Sequence, residues 1–348
     1  MSVKTELLKI LESHRDEALS GQEMADLLGV SRTAIWKAVK LLKEEGYQIE
    51  AANKKGYRLR GDSDLLSAAG ILLNLDPKYQ NREVVVFKCL DSTNQEVKRR
   101  ALEGAGEGLV VLSEEQTKGK GRQGRSFVSP PGTGIYMSIL FRPTEKNSKD
   151  VILVTTAASV AICRAIRKVV REEPQIKWVN DVYLRGKKIC GILTEAVSDF
   201  ESGKIQTVVV GIGINYREPD GGFPEELRGI AGAIVEDDRA KTTPVTRNVL
   251  VAAILDELYA LYEGLAERSY MDDYKKWSNV LGKEVRFLDG GAQGNLEVWE
   301  YGTAIDLDRD GGLIVRLKDG RTRTLKTGEI TLRVEKDGSE RGVYGRDV

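Results

Sequence analysis

The stretch from Gly119 to Arg125 reads GKGRQGR, and a second stretch, from Lys177 to Glu195, reads KWVNDVYLRGKKICGILTE. Together with Lys118, the first stretch packs four cations and three glycines into eight residues, with no acidic residue among them. Glycines keep a backbone flexible and cations attract anions, so this loop is suited to an anion such as a nucleotide phosphate. The second stretch places Asn180 and Asp181 at the start of a predicted strand–turn–strand.

The loop also fits the pattern GxGxxG, which in dinucleotide-binding folds opens a helix. The residues that follow include Pro130 and Pro131 and cannot begin a helix. We therefore reject the dinucleotide interpretation, and the pattern GxxxxGK[ST] of a P-loop does not occur in the chain. What remains is an irregular cationic loop, which we expect to be mobile without a ligand and to become ordered over a bound anion.

Length and composition narrow the class of protein. The 348 residues suggest two or three domains, and a net charge of zero gives no whole-chain signal for nucleic acid. Three widely spaced cysteines indicate free thiols in a reducing compartment, which we take to be the cytoplasm. The single histidine, His14, excludes a histidine-dependent triad elsewhere. The longest uncharged run, residues 151–163, is shorter than the roughly 20 residues of a membrane span, so no membrane partner is expected.

Residues 1–60 carry the pattern of a winged helix-turn-helix. Ser20 and Glu23 form a capping box for a short helix that stops at Gly29, and Ser31 caps a second helix. Two alternating strands around residues 53–56 resemble the wing. Residues 1–30 have a net charge of −3, whereas residues 31–60 have a net charge of +5.

The net positive charge of residues 31–60 predicts a DNA-binding face, because phosphate contacts require cations. The predicted DNA-contacting residues are Ser31, Arg32, Thr33, Lys37, Lys40, Lys54 and Lys55. The alternative is a solvated cationic face on a protein–protein module, since small helix-turn-helix domains also serve that role.

The middle of the chain mixes strands and helices after a predicted linker at residues 61–67. Strands are more numerous than helices and several follow one another directly, which favours an α+β arrangement over a doubly wound sheet. From residue 281 to 332, short strands are separated by Asp-Gly turns, a pattern typical of a small antiparallel barrel. Residues 335–348 are charged and are expected to be disordered.

Two further motifs occur in order with the first two: Asp91-Ser92-Thr93-Asn94, and GIGIN at Gly211 to Asn215. Together the four resemble the signature of the biotin protein ligases. With the N-terminal sixty residues added, the resemblance is to the bifunctional members that also repress the biotin operon. It implies a winged-helix domain (1–60), a mixed α/β ligase domain related to class II synthetases (65–275), a C-terminal SH3-like barrel (280–334) and a disordered tail (335–348).

The resemblance also implies a two-step reaction. Biotin and ATP give biotinyl-5′-AMP and pyrophosphate, and a lysine of the biotin carboxyl carrier protein then takes the biotinyl group. Negative charge builds at phosphate, so cations and Mg²⁺ are the expected catalysts. With biotinyl-AMP bound, the protein is expected to form a homodimer and to bind operator DNA containing an inverted repeat.

Roles are carried over only to matching positions. The implied biotin-binding residues are Ser92, Thr93, Asn94, Gln116, Lys120, Gly121, Arg122, Lys188 and Gly191. The implied nucleotide-binding residues are Arg122, Arg125, Phe127, Asn180, Asn215 and Arg333. Lys188, Arg122 and Asp181 are the implied catalytic residues, and Asp181 is either a Mg²⁺ ligand or a group that orients the incoming amine.

The chain departs from the family at three positions. Lys120 stands where arginine is common, Val179 where proline is usual, and Phe127 where tryptophan is frequent. A lysine does not replace arginine at a bidentate contact, so the contact of Lys120 is expected to be looser. None of the three removes an essential charge.

Other interpretations stay open. Asn180-Asp181 also fits a simple turn, Lys188 a surface cation, and Trp178 a core residue. Two rival functions are a biotin-sensing repressor without ligase activity and a ligase without DNA binding. Lipoate ligases have a related catalytic fold, but the GKGRQGR loop favours biotin.

Overall fold

A computed structural model describes residues 2–52, 55–143, 151–198, 205–236, 245–288, 299–326, 329–333 and 343–344. The N-terminal region contains three helices and a hairpin: α1 (Val3–Ser13), α2 (Gly21–Leu28), α3 (Arg32–Glu44), β1 (Ile49–Ala52) and β2 (Gly56–Leu59). The capping box of Ser20 and Glu23 is present, and Gly29 ends α2 with a φ of 64°. The buried face of α3 packs into a small core of its own with α1 and α2. The predicted helix-turn-helix with a hairpin behind it is confirmed.

The central region contains a seven-stranded sheet with helices on both faces. Its elements are α4 (Ala68–Asn74), β3 (Val84–Phe87), α5 (Thr93–Leu102), β4 (Val110–Ser113), β5 (Gly134–Phe141), α6 (Val151–Ala165), β6 (Gln175–Lys177), β7 (Asp181–Leu184), β8 (Lys187–Ser198), β9 (Ile205–Asn215), α7 (Arg247–Glu263) and α8 (Met271–Trp277). The strand order is β3-β4-β5-β9-β8-β7-β6. Only β3 and β4 pair in parallel, so the α+β prediction is confirmed.

Burial of the sheet explains the composition of its central strands. Every residue of β5 is buried, because α5 covers one face while α6 and α7 belong to the large core on the other. A strand that is covered on both faces has no need for polar alternation. The start of α5 packs over the middle of β5, β8 and β9, through contacts of Asn94 with Ser138, Leu193 and Gly211.

The C-terminal region is an antiparallel sheet whose apolar face belongs to the same large core. Its strands are β10 (Glu284–Leu288), β11 (Glu300–Leu307), β12 (Leu313–Leu317), β13 (Thr322–Leu325), β14 (Glu329–Arg333) and β15 (Val343–Tyr344), in the order β13-β12-β11-β10-β14-β15. Gly311 and Gly320 adopt φ values of 82° and 86° in the two predicted Asp-Gly turns that are described. Most of the tail predicted to be disordered lies outside the described residues, but Val343–Tyr344 pair with β14.

The segment predicted as a linker, residues 61–67, is a packed junction. It contains no helix or strand, yet Ser63, Leu66 and Ser67 are buried. The carboxylate of Asp64 accepts hydrogen bonds from the backbone and the guanidinium of Arg247 in α7. Helix α4, which follows directly, was not predicted. The two regions are therefore joined by buried polar contacts and not by a free tether.

Two smaller predictions concern thiols and membranes. All three cysteines are free, with Cys89 exposed and Cys163 and Cys190 buried. Within the described ranges, each helix falls short of the length and apolarity that a bilayer crossing demands.

Candidate active site

The start of α5 forms the polar end of a cavity that the cationic loop, β7 and β8 also line, and we call it the main cavity. Ser92 occupies the N-cap position of α5, but its side chain makes no capping hydrogen bond there. Gln116 is fixed beside it, because its Oε1 accepts hydrogen bonds from the backbone N and the hydroxyl of Thr93 at 2.8 and 3.1 Å. Its Nε2 donates to Ser129 at 3.1 Å. Uncharged hydroxyl and amide groups thus line this end.

The GIGIN motif on β9 makes room for two neighbouring side chains. A Cβ on Gly211 would lie 2.2 Å from Oδ1 of Asn94, and a Cβ on Gly213 would lie 2.6 Å from the ring of Phe127. Neither glycine has a positive φ, so close approach and not backbone conformation requires them. Because residues two apart on a strand face the same side, Asn94 and Phe127 lie along one face of β9.

The cationic loop is folded by its own backbone. Gly121 N donates to Arg125 O at 2.7 Å and Phe127 N donates to Gly119 O at 2.9 Å, so the loop is a tight hairpin. At its tip Gln123 has a φ of 55°. Nη1 of Arg122 donates to Oδ1 of Asn180 at 2.9 Å and so ties the loop to the β6–β7 turn. The expected mobility of the loop without a ligand stays a prediction.

Lys188 and Asp181 form an ion pair across the β7–β8 hairpin. Nζ of Lys188 lies 2.8 Å from Oδ2 of Asp181. Asp181 is buried, and its Oδ1 has no hydrogen-bond partner among the described residues. Asn180 ends a turn before β7, as the simple-turn alternative has it, and it also lines the cavity together with Asp181. Lys188 lines the same cavity and is half-buried, and its role in binding stays a prediction.

Thirteen of the predicted residues line one cavity: Ser92, Thr93, Asn94, Gln116, Lys120, Gly121, Arg122, Arg125, Phe127, Asn180, Asp181, Lys188 and Gly191. Asn215 lines a second, more apolar cavity instead, which Phe127 and Lys188 also line. Phe127 therefore stands between the two cavities. The backbone of Arg333 ends β14, but its side chain lies outside the described residues, as does the whole of Lys54.

Several residues that line the main cavity are absent from the predicted site, among them Lys177, Trp178 and Ile330. Lys177 is a buried lysine on the cavity wall, and it directly precedes the tryptophan of the KWVND motif. For Trp178, the sequence left open whether it covers a ligand ring or packs in the core. Trp178 is buried, lines the cavity, and donates from Nε1 to Gly311 O at 2.8 Å. Ile330 of β14 also lines the cavity, which no local pattern indicates.

Charge is distributed unevenly around this cavity. Its lining includes five cationic side chains, those of Lys120, Arg122, Arg125, Lys177 and Lys188, and one carboxylate, that of Asp181. Such a site favours a polyanion. In the second cavity, burial raises the pKa of the Cys190 thiol, which stays protonated and is not a ready nucleophile.

No cluster of three or more histidine, cysteine, aspartate or glutamate side chains suited to a metal ion occurs in the described ranges. A single carboxylate is nevertheless enough for Mg²⁺ when substrate phosphates supply further ligands. The unpartnered Oδ1 of Asp181 fits that role, because it is buried and belongs to a cavity-lining side chain.

The second predicted surface lies on the N-terminal region. Arg32, Thr33, Lys37, Lys40 and Lys55 are exposed, while Ser31 caps α3 by accepting from Ala34 N at 3.2 Å. Arg58 and Arg60 on the wing side form ion pairs with Glu50 and Asp62, and Lys40 of α3 pairs with Glu44.

One exposed side chain of α3 was not predicted to be functional. Trp36 is 54% exposed and lines a groove between α3 and the hairpin. The hydrophobic core does not explain it, since the buried face of α3 consists of Ile35, Ala38, Val39 and Leu42. An exposed tryptophan among cations is a candidate contact for a ligand.

Comparison with known proteins agrees with this arrangement. Residues 86–215 match the biotin/lipoate A/B protein ligase family, residues 4–58 match an HTH domain, and residues 280–333 match a biotin protein ligase C-terminal domain. The chain is 31% identical over 320 residues to the bifunctional ligase/repressor BirA of Bacillus subtilis, covering 92% of this chain and 95% of that protein.

Two further relatives are similar over comparable lengths. BirA of Escherichia coli is 29% identical, with 90% of this chain and 92% of that protein covered. The structure resembles a biotin protein ligase from Aquifex aeolicus, solved in complex with biotin and ATP, with a TM-score of 0.59, 25% identity, and coverage of 73% and 99% of the two chains. The chain therefore belongs to the biotin/lipoate A/B protein ligase family, among the members that carry an N-terminal HTH domain.

Proposed function

We propose that this protein is an ATP-dependent biotin ligase that also acts as a biotin-responsive repressor. The observation that carries the ligase is the main cavity, whose uncharged polar end is continuous with a strongly cationic end. A cyclic urea with a carboxylate tail fits the first end, and the phosphates of ATP fit the second. The adjoining apolar cavity, reached past Phe127 and lined by Asn215, suits the adenosine.

In the first step a carboxylate oxygen of biotin attacks the α-phosphorus of ATP, and the bond to the β-phosphate oxygen breaks to release pyrophosphate. Arg122, Arg125, Lys177 and Lys188 neutralise the negative charge that builds on the phosphate oxygens. In the second step the amine of a carrier lysine attacks the acyl carbon and AMP leaves. Asp181 lines the same cavity, where its carboxylate orients that amine by hydrogen bonding.

Mg²⁺ fits the same site. Asp181 would hold it together with phosphate oxygens of the nucleotide, and the ion would supply further positive charge at the phosphates. The remaining roles belong to the cationic side chains and do not depend on the position of the ion.

The test is to incubate the purified chain with biotin, ATP, Mg²⁺ and an unmodified biotin carboxyl carrier domain, and then to weigh the carrier by mass spectrometry. We expect the mass of the carrier to rise by one biotinyl group. A folded chain that binds biotin without modifying the carrier would contradict the ligase and favour a sensing repressor. Modification with lipoate in place of biotin would contradict the substrate.

Arg122→Gly is expected to release biotinyl-AMP early. Arg122 closes the loop onto Asn180, and the loss of a charge-assisted hydrogen bond speeds release by about 10- to 100-fold. Free adenylate then labels surface lysines of bystander proteins, which is measured by blotting a mixed protein sample. The matched control is Gln123→Gly, which gives the same loop a glycine without removing charge. Strict carrier labelling by Arg122→Gly would contradict its holding role.

For the repressor we propose that residues 1–60 bind operator DNA, residues 65–275 catalyse, and residues 280–334 cover the cavity, in a protein that works in the cytoplasm. Biotinyl-AMP orders the cationic loop, completes a homodimer surface and so presents two winged-helix domains to an inverted repeat. Analytical ultracentrifugation and DNA binding with and without biotin and ATP test this directly. Unchanged dimerisation and unchanged DNA affinity would contradict it.

Trp36→Ala and Lys37→Ala are expected to weaken DNA binding in different ways. Trp36 offers an apolar contact to a base edge, so its loss costs about 1–3 kcal/mol of specific binding and little non-specific binding. Lys37 offers a phosphate contact, so its loss weakens specific and non-specific binding alike. It also lowers, by about 1, the slope of the logarithm of the binding constant against the logarithm of salt concentration. DNA-binding titrations at several salt concentrations distinguish the two variants. They compare specific duplexes, selected from a random-sequence pool, with random duplexes. Equal loss for specific and random duplexes in Trp36→Ala would exclude Trp36 from sequence reading.

A further inference from the structure

Residues 230–236, which we call the wall segment, form one side of the second cavity. Ile230 and Ala231 line that cavity together with Asn215 and Lys188. The wall segment belongs to none of the helices or strands described above, so its position depends on the contacts that hold it in place. A residue that fixes the wall segment therefore shapes the second cavity without having to line it.

Backbone hydrogen bonds place the wall segment between the start of β8 and the end of β9. On the side of β8, Lys188 N donates to Ile230 O and Gly232 N donates to Lys188 O, both at 2.9 Å. On the side of β9, Ile234 N donates to Asn215 O at 3.0 Å. The wall segment and the backbone of Lys188 therefore share one register.

The guanidinium of Arg185, in the turn between β7 and β8, binds the same segment through its carbonyls. Its Nη2 donates to Ala233 O at 2.8 Å and to Ile234 O at 3.0 Å. Its Nη1 lies 2.9 Å from Oε1 of Glu172, and its Nε lies 2.8 Å from Oε1 of Glu236. Because a guanidinium is planar and rigid, the two carboxylates fix the direction in which Nη2 points.

The backbone at position 185 does not by itself favour an arginine. Arg185 and Gly186 connect β7 and β8 as a two-residue turn, with φ values of 50° and 77°. Such turns, with a positive φ at both positions, favour Asn-Gly, and an arginine at the first position is disfavoured. The turn thus gives no reason for an arginine, whereas the contacts of its guanidinium with the wall segment do.

We infer that Arg185 is a positioning residue, which fixes the wall segment and thereby sets the affinity of the second cavity for the nucleotide. Arg185 lies outside the linings of both cavities, so it acts through the wall segment and not by touching a substrate. The inference rests on the proposed function, in which the second cavity holds the adenosine. It deepens that function by separating nucleotide affinity from biotin affinity, because the wall segment borders only the second of the two cavities.

The first test uses Arg185→Asn in the full chain. This variant removes the guanidinium but gives the turn the Asn-Gly pair that its backbone favours, so the thermal midpoint should stay close to that of the wild type. The KM for ATP is expected to rise about tenfold, because charge-assisted hydrogen bonds to the wall segment are lost. The kcat and the KM for biotin should change less than about twofold. Pyrophosphate release, with one substrate varied and the other saturating, measures all three.

Two further variants serve as controls. Lys187→Ala removes a cation from the same hairpin and keeps the Cβ that packs beside Gly232, so its KM for ATP should stay within about twofold of the wild-type value. Arg185→Lys keeps the charge but not the planar fork, and its KM should lie between those of the wild type and Arg185→Asn. An equal rise in Lys187→Ala, or an equal rise of the KM for both substrates in Arg185→Asn, would overturn the inference. If Arg185→Asn does not fold, Arg185→Lys decides by the same criteria.

The second test measures hydrogen exchange of backbone amides and needs no catalysis. The amides of Ile234 and Val235 donate to Asn215 O and Tyr216 O, and in Arg185→Asn they should exchange about tenfold faster, while amides of β5 stay unchanged. Unchanged exchange would overturn the inference, and so would faster exchange with an unchanged KM for ATP. A wild-type chain that forms no biotinyl-AMP would overturn the proposed function and the inference with it, whereas an active wild type with unaltered variants would overturn the inference alone.

Discussion

Lys188→Ala is expected to lower the rate of biotinyl-AMP formation by about 10²- to 10³-fold, the usual effect of removing one preorganised charge at a developing anion. Lys188 lines both cavities, and in the proposed mechanism its ammonium lies where the carboxylate of biotin meets the α-phosphate. Its loss also leaves the buried carboxylate of Asp181 without its cation. Pyrophosphate release under single-turnover conditions measures the chemical step directly.

The control for this variant is the preceding lysine. Lys187 is exposed, and its side chain packs over Gly232 away from the main cavity. Lys187→Ala should form adenylate at the wild-type rate, with an unchanged thermal midpoint. A wild-type rate in Lys188→Ala would remove Lys188 from the mechanism, and an equal loss in both variants would point to a general effect of charge.

Arg247→Met is expected to lower the free energy of unfolding by about 3–5 kcal/mol, because it removes a buried cation that two partly buried carboxylates share. Arg247 is 2% exposed. Its Nη1 donates to Oε2 of Glu114 at 2.8 Å and to Gly134 O at 2.9 Å, while Nε contacts Asp64. Urea unfolding measures this effect as a lower midpoint, while the slope of the free energy of unfolding against urea concentration stays unchanged.

Arg217→Met provides a matched comparison, because Arg217 pairs with the same Asp64 at 2.8 Å but is 40% exposed. Its removal should cost less than about 1 kcal/mol. Replacing Asp64 and Glu114 by their amides in the Arg247→Met background should recover part of the loss. Similar losses for the two arginines would contradict the assignment of the effect to buried charge.

Local patterns predicted the elements whose signals are contained in a few neighbouring residues. The capping box of Ser20 and Glu23 and the Asp-Gly turns at Gly311 and Gly320 depend on hydrogen bonds or backbone angles within one turn. The cavity-lining motifs were found in the same way, helped by the resemblance to the ligases. These features depend on neighbouring residues, so they can be recognised from the sequence alone.

Residues whose roles depend on distant partners could not be predicted. Glu195 contacts the cavity-lining Asn94 because α5 places Asn94 beside it. Arg247 contacts Asp64 because residues 61–67 fold back onto α7. Asp64 was consequently assigned to a linker, although it forms an ion pair with the buried Arg247. Ile330 reaches the cavity only through the packing of the C-terminal sheet. No periodicity or local motif contains these long-range pairings.

The position of Ile330 has a consequence for how the protein is made. Translation proceeds from the N terminus, so the winged-helix region is complete early and can fold while the ribosome is still adding residues. The wall of the cavity that includes Ile330 emerges last, after every other residue that lines it. A nascent chain that stalls before β14 therefore holds a complete winged-helix region and an incomplete cavity, so ligand binding is the last property that the growing chain acquires.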